Sequence, residues 1–107
     1  MARVRQPGAA AAASFGQSGS TYANATGSAT IDAPGRAAIV AIQILSDATF
    51  TSMTAVTPST CFNSSDSGSG TGGVSFPSNQ TLSAGVVVYG EWSQVVLATG
   101  SAIVYFA

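Results

Sequence analysis

Four carboxylates, one thiol and no imidazole bound the chemistry this chain can do. The acids are Asp32, Asp47, Asp66 and Glu91, the thiol is Cys61, and there is no His and no Lys. Glycoside hydrolysis needs two carboxylates facing one bond, one as acid and one as nucleophile or base. Nucleophilic catalysis needs a Ser, Cys or Thr beside a general base. Here the acids are scattered, and the thiol has no imidazole to activate it. A single cysteine also forms neither an internal disulfide nor a Cys-based zinc site. Asp66 lies in a Ser- and Gly-rich tract with too few carboxylates for a calcium loop. Glu91 has no second acid nearby in the sequence. The expectation is a protein that is not an enzyme, with no catalytic, cofactor or metal residues.

The charge balance narrows the partners. Of the 107 residues, 7% are charged, against about 25% in an ordinary soluble domain. The three cations are Arg3, Arg5 and Arg36, too few for a phosphate-binding footprint. No window approaches the ~18 consecutive apolar residues of a membrane span. The Arg3–Arg5 start is basic, but the alanine run at 9–13 is too short and weakly apolar for a secretory leader, so synthesis in a cytosol is expected. The sequons at Asn24, Asn63 and Asn79 then carry no meaning for glycosylation. A net charge of −1 gives little colloidal repulsion. That suits a protein covered in an assembly, and equally a neutral surface wetted by hydroxyls.

The elements that would position these residues are strands. Residues 1–26 are Ala-, Gly-, Ser- and Asn-rich and read as an extended arm, with Arg3 and Arg5 near its tip and Phe15 and Tyr22 as aromatic anchors. Residues 27–107 hold almost all the large apolar side chains and form the folding unit, close to the lower size limit for a stable core. Within it, 28–32 is a short strand. Ala33-Pro34-Gly35-Arg36 predicts a type II turn, with Pro in the second position and Gly in the third. Residues 37–45, AAIVAIQIL, are apolar on both faces and predict a central strand. Ser46-Asp47 reads as a turn, followed by a strand at 48–54. Residues 55–73 are a long connection, and its second half is polar and flexible by composition. Short strands are expected at 74–76 and 80–82. The chain then closes in three apolar runs, 86–89, 92–97 and 102–106, the last two pairing as a hairpin across Thr99-Gly100. Trp92 is expected half-buried, its indole N–H at an edge.

The closing third carries a resemblance. Phe76-Pro77, Leu82-Ser83-Ala84-Gly85, Tyr89-Gly90-Glu91-Trp92-Ser93, Val95, Leu97, Thr99-Gly100-Ser101 and Ala102-Ile103-Val104-Tyr105 resemble the C-terminal part of small bacteriophage head decoration (cement) and fibre-like virion proteins. The strand at 41–45 also fits. Glu91 stands where that pattern has a basic residue. The resemblance implies an all-β fold, a compact antiparallel β-sandwich or jelly-roll-like barrel, seated as a homotrimer on the outside of a capsid.

Two functions follow. In the first, the chain is a structural virion protein that binds the major capsid protein and stabilises contacts between capsid subunits. Arg3, Arg5, Phe15 and Tyr22 are then the capsid-contact candidates, and weak single contacts add through the trimer. In the second, it is a receptor- or glycan-binding tip of a head or tail fibre, with Trp92, Tyr89 and Tyr22 as ring platforms.

Overall fold

The computed structural model describes residues 19–107. Arg3, Arg5 and Phe15 lie outside the described residues. Among the described residues there are four strands: β1 (Ser20–Ala25), β2 (Ala29–Asp32), β3 (Ile39–Ala55) and β4 (Val87–Phe106). No described residue is helical. The expected all-β antiparallel fold is the one the chain adopts.

β4 is the hub. β1 lies along its end, Ser20 opposite Tyr105 and Ala25 opposite Gly100. β2 lies along its middle, Ala29 opposite Leu97 and Asp32 opposite Gln94. β3 takes the other side of β4. Its partners descend as it ascends, Ile42 facing Val104, Phe50 facing Leu97 and Thr54 facing Gln94, so the two strands run antiparallel. The first half of β3 has a second neighbour. Ala41 also faces Tyr89 and Gln43 also faces Val87, at the start of β4. The expected central strand is therefore covered on both edges. β-branched residues fill it, with Ile39, Val40, Ile42 and Ile44 suited to a pleated, buried surface.

Two of the expected turns are instead one bend. Ser46-Asp47 lies inside β3 and Thr99-Gly100 inside β4. Residues 92–97 and 102–106 form no hairpin; they are successive parts of β4, each paired with β3. The turn-type residues face each other across the ladder, Ser46 opposite Ser101 and Thr49 opposite Thr99. Their hydroxyls pair at 2.9 Å in both cases. At this point Gly100 has φ +88°, a conformation that side chains with a β-carbon rarely adopt. The long ribbon bends here without ending.

The bend brings the inner faces together into one core. Ile42, Ile44, Ala102 and Val104 meet Phe50, Met53, Val95, Leu97 and Trp92, with Ile31 and Ala23 added by the flanking strands. The inward residues change parity, from Phe50 to Met53 on β3 and from Trp92 to Val95 on β4. Each change is an irregularity in the ladder that shifts the buried set from one phase to the other.

Three further expectations are corrected. The last part of the expected arm, Ser20–Ala25, is β1, because its alternate residues can point inward, as Ala23 does. The turn after β2 sits one residue later than expected. Ala37 N–H donates to the Pro34 carbonyl at 2.9 Å, and Gly35, φ +52°, takes the second position. Residues 74–76 and 80–82 are not strands, apart from a bridge between Leu82 and Ala48. The stretch before β4 is nevertheless tied to β3. Ile44 N–H donates to the Val86 carbonyl at 2.9 Å and Gly85 N–H to the Ile44 carbonyl at 2.7 Å.

Candidate functional site

The polar tract at 63–73, the second half of the long connection, is fixed in its first half by side-chain chemistry that its composition conceals. Asn63 is 4% exposed. Its amide donates to the Cys61 carbonyl at 3.0 Å, and its Oδ1 accepts from Ser65 N–H at 2.8 Å. Its own N–H donates to the Asp66 carbonyl, and its carbonyl accepts from Phe76 N–H at 2.8 Å. Ser64 pairs with the edge of β3, its N–H to the Met53 carbonyl at 3.0 Å and its hydroxyl accepting from Met53 N–H at 2.7 Å. The loop thereby covers an edge that would otherwise present unpaired backbone groups.

Beneath this loop lies Trp92. It is 0% exposed, not half-buried, and its indole N–H donates to the Phe62 carbonyl at 2.9 Å. Phe62 meets its ring edge-on at a centroid distance of 5.4 Å and stacks tilted on Phe76 at 5.7 Å. The Cys61 thiol accepts from Glu91 N–H and donates to the Phe62 carbonyl, both at 3.4 Å. Trp92 is thus a core residue, unable to serve as a surface platform for a ring.

The acids are dispersed. Asp32 Oδ1 accepts from the Gln94 amide at 2.7 Å, Asp47 Oδ1 from Ala84 N–H at 2.9 Å, and Asp66 Oδ1 from Gly68 N–H at 2.9 Å. Each of these carboxylates holds a turn or a strand pair. Among the described residues no three of His, Cys, Asp and Glu come together as metal ligands. Arg36 is exposed in the turn after β2.

What the strands do assemble is an aromatic face. Side chains alternate along a strand, so cross-strand partners stand in rows. One row is Tyr22, Ile103, Gln43 and Val87; the next is Ser20, Tyr105, Ala41 and Tyr89. These rows hold all three tyrosines of the chain. Tyr22 is 62% exposed and Tyr89 58%, with Leu45 and Val87 exposed on the same face. Ala41 lies between Tyr105 and Tyr89, which stand on the two ends of β4, two strand spacings or ~9.5 Å apart across β3. Its methyl leaves a recess of about 280 Å³, lined by Ala41, Gln43, Val87, Tyr89 and Tyr105. The Tyr105 hydroxyl donates to Gln43 Oε1 at 3.0 Å.

Of the four capsid-contact candidates, Tyr22 is the one within the described residues, and it stands on this face. Tyr105, Gln43 and Ala41 were not singled out by the sequence. One signal was there: Gln43 is the lone amide in the otherwise apolar run 37–45, whereas Tyr105 joins Tyr89 only through the register of β3 and β4. No protein-family model, curated protein or solved structure matches the chain.

Proposed function

We propose that the chain is a structural virion protein, a capsid decoration (cement) protein that binds the outer surface of a phage head as a homotrimer and stabilises contacts between major capsid subunits. The observation that carries this reading is the exposed apolar and aromatic face formed by Tyr22, Leu45, Val87 and Tyr89 on a chain with so few charges. Exposed apolar surface of this kind marks places where a protein meets something else. The placement of the acids agrees, since three of the four hold backbone or amide groups of the fold itself.

In this reading the bent sheet is a compact, sandwich-like anchor block. Residues 1–18, with Arg3, Arg5 and Phe15 as anchors, make the capsid contact together with Tyr22 of β1. The resemblance of the closing third to decoration proteins points the same way. The test is the mass of the purified protein in solution, together with co-sedimentation on heads built from the major capsid protein of the same phage. A trimer that pellets with heads is the expected result. A stable monomer that stays in the supernatant overturns the proposal.

A further inference from the structure

We propose that the recess between Tyr89 and Tyr105 is a binding site for one uncharged pyranose ring. The argument begins with size. At about 280 Å³ the recess falls just below the ~300–1,000 Å³ of pockets that enclose drug-sized ligands, which suits a single ring. Its chemistry is the second point. An aromatic ring has an apolar face and negative density above it, and the C–H face of a pyranose is its complement. Tyr89 and Tyr105 supply rings on either side, with the Ala41 methyl between them.

The third point is polarity. None of the five lining residues is charged, so the recess favours a neutral ligand. A sugar also needs directional partners for its hydroxyls. Gln43 supplies an amide in the lining, and its Oε1 is oriented by the Tyr105 hydroxyl at 3.0 Å. Orientation in advance lowers the entropy lost on binding. The recess shares Val87 and Tyr89 with the face that carries the capsid reading, but sugar binding needs no capsid: it is assigned to the recess across β3, against the start of β4, whereas the capsid contact is assigned to residues 1–18 and Tyr22.

The test is a titration of the free, isotope-labelled protein, followed by amide resonances. The probes are the methyl glycosides of glucose, galactose, mannose and N-acetylglucosamine. At least one is expected to shift Ala41, Gln43, Val87 and Tyr105 with millimolar saturation. Tyr89→Ala is expected to weaken that binding about tenfold, the loss of one aromatic contact. Tyr89→Phe, which keeps the ring, is expected to bind nearly as the parent does, and Gln43→Ala to bind more weakly. The dispersion of each free spectrum reports that the variant is folded. Three results overturn the proposal: no shift with any of the four glycosides, shifts that persist unchanged in Tyr89→Ala, or concentration-dependent broadening of the recess resonances without sugar, which would assign the face to a second copy of the chain. Because no capsid is present, failure here leaves the decoration reading standing, and failure to pellet with heads leaves this one standing.

Discussion

The indole of Trp92 lies against Gly90, two residues earlier on the same strand. A β-carbon at position 90 would sit 2.6 Å from Trp92 Cζ2 and 2.9 Å from the Cys61 sulfur. Gly90 has no positive φ, so its backbone does not require glycine. The missing side chain is needed because the ring and the thiol occupy its place. Gly90→Ala is therefore an overpacking change, expected to cost about 1–3 kcal/mol. Urea unfolding followed by Trp92 fluorescence checks it, the midpoint falling while the slope stays unchanged.

Asn63 is the centre of the loop above that ring. Asn63→Ala removes the acceptor of Ser65 N–H and the donor to the Cys61 carbonyl. A buried polar group left without its partner costs about 1–3 kcal/mol. The effect is expected to be local first, because the strands retain their ladders. Limited proteolysis should cut within 64–73 while the domain remains folded, and the emission of Trp92 should shift to the red as water reaches it. Equal protection of loop and strands in the variant would show that Asn63 is not what holds the loop.

Much of this architecture is legible in the sequence, and the failures share a cause. The strand expected at 28–32 from its alternation is β2, and the one expected at 37–45 from its β-branched, two-faced apolar run is the first part of β3. The bend is misread because Ser46-Asp47 and Thr99-Gly100 have the composition of turns. Composition reports that the backbone deviates, without saying whether the chain reverses or merely bends. The difference depends on pairing: two turn signals opposite each other on neighbouring strands, as Ser46 and Ser101 are, bend a ribbon. The loop fails differently. Asn63 is polar by type but buried, and its partners are mostly backbone groups, which carry no signature in a sequence. The aromatic face was half legible, since Tyr22 and Tyr89 stand out as exposed-aromatic candidates. Tyr105 joins them only through a register that brings β1, β3 and both ends of β4 side by side.

Gly100 and Gly35 separate conformational strain from collision. Both have positive φ, +88° and +52°. Gly35 has open space where a β-carbon would be, whereas at Gly100 that carbon would collide with the Asp47 carbonyl and lie 2.8 Å from Ala48 Cα. Gly35→Ala is expected to cost only the left-handed conformation, about 1–2 kcal/mol. Gly100→Ala must also push two backbones apart at the bend and is expected to cost at least ~3 kcal/mol in all. Thermal unfolding of the two variants side by side measures the difference, at roughly 4–8 °C per kcal/mol for a domain of this size. Equal losses would mean that the close packing of Gly100 on Asp47 and Ala48 does not matter to the bend.

The position of β1 decides how the capsid contact can be tested by truncation. Removing residues 1–22 would take Ser20, Thr21 and Tyr22 out of their pairs with Tyr105, Val104 and Ile103. Half of an edge strand would go, and part of β4 would lose its neighbour. Each ladder hydrogen bond contributes about 0.5–1.5 kcal/mol net, so this variant is expected to melt several degrees lower whatever its effect on capsids. Removing residues 1–18 leaves all six residues of β1 in place and takes away Arg3, Arg5 and Phe15. The shorter truncation is expected to melt like the full chain and, under the proposed function, to bind heads more weakly in co-sedimentation. Unchanged affinity for heads in a folded 19–107 protein would falsify the role given to that segment and shift the contact to Tyr22 and the rest of the exposed face.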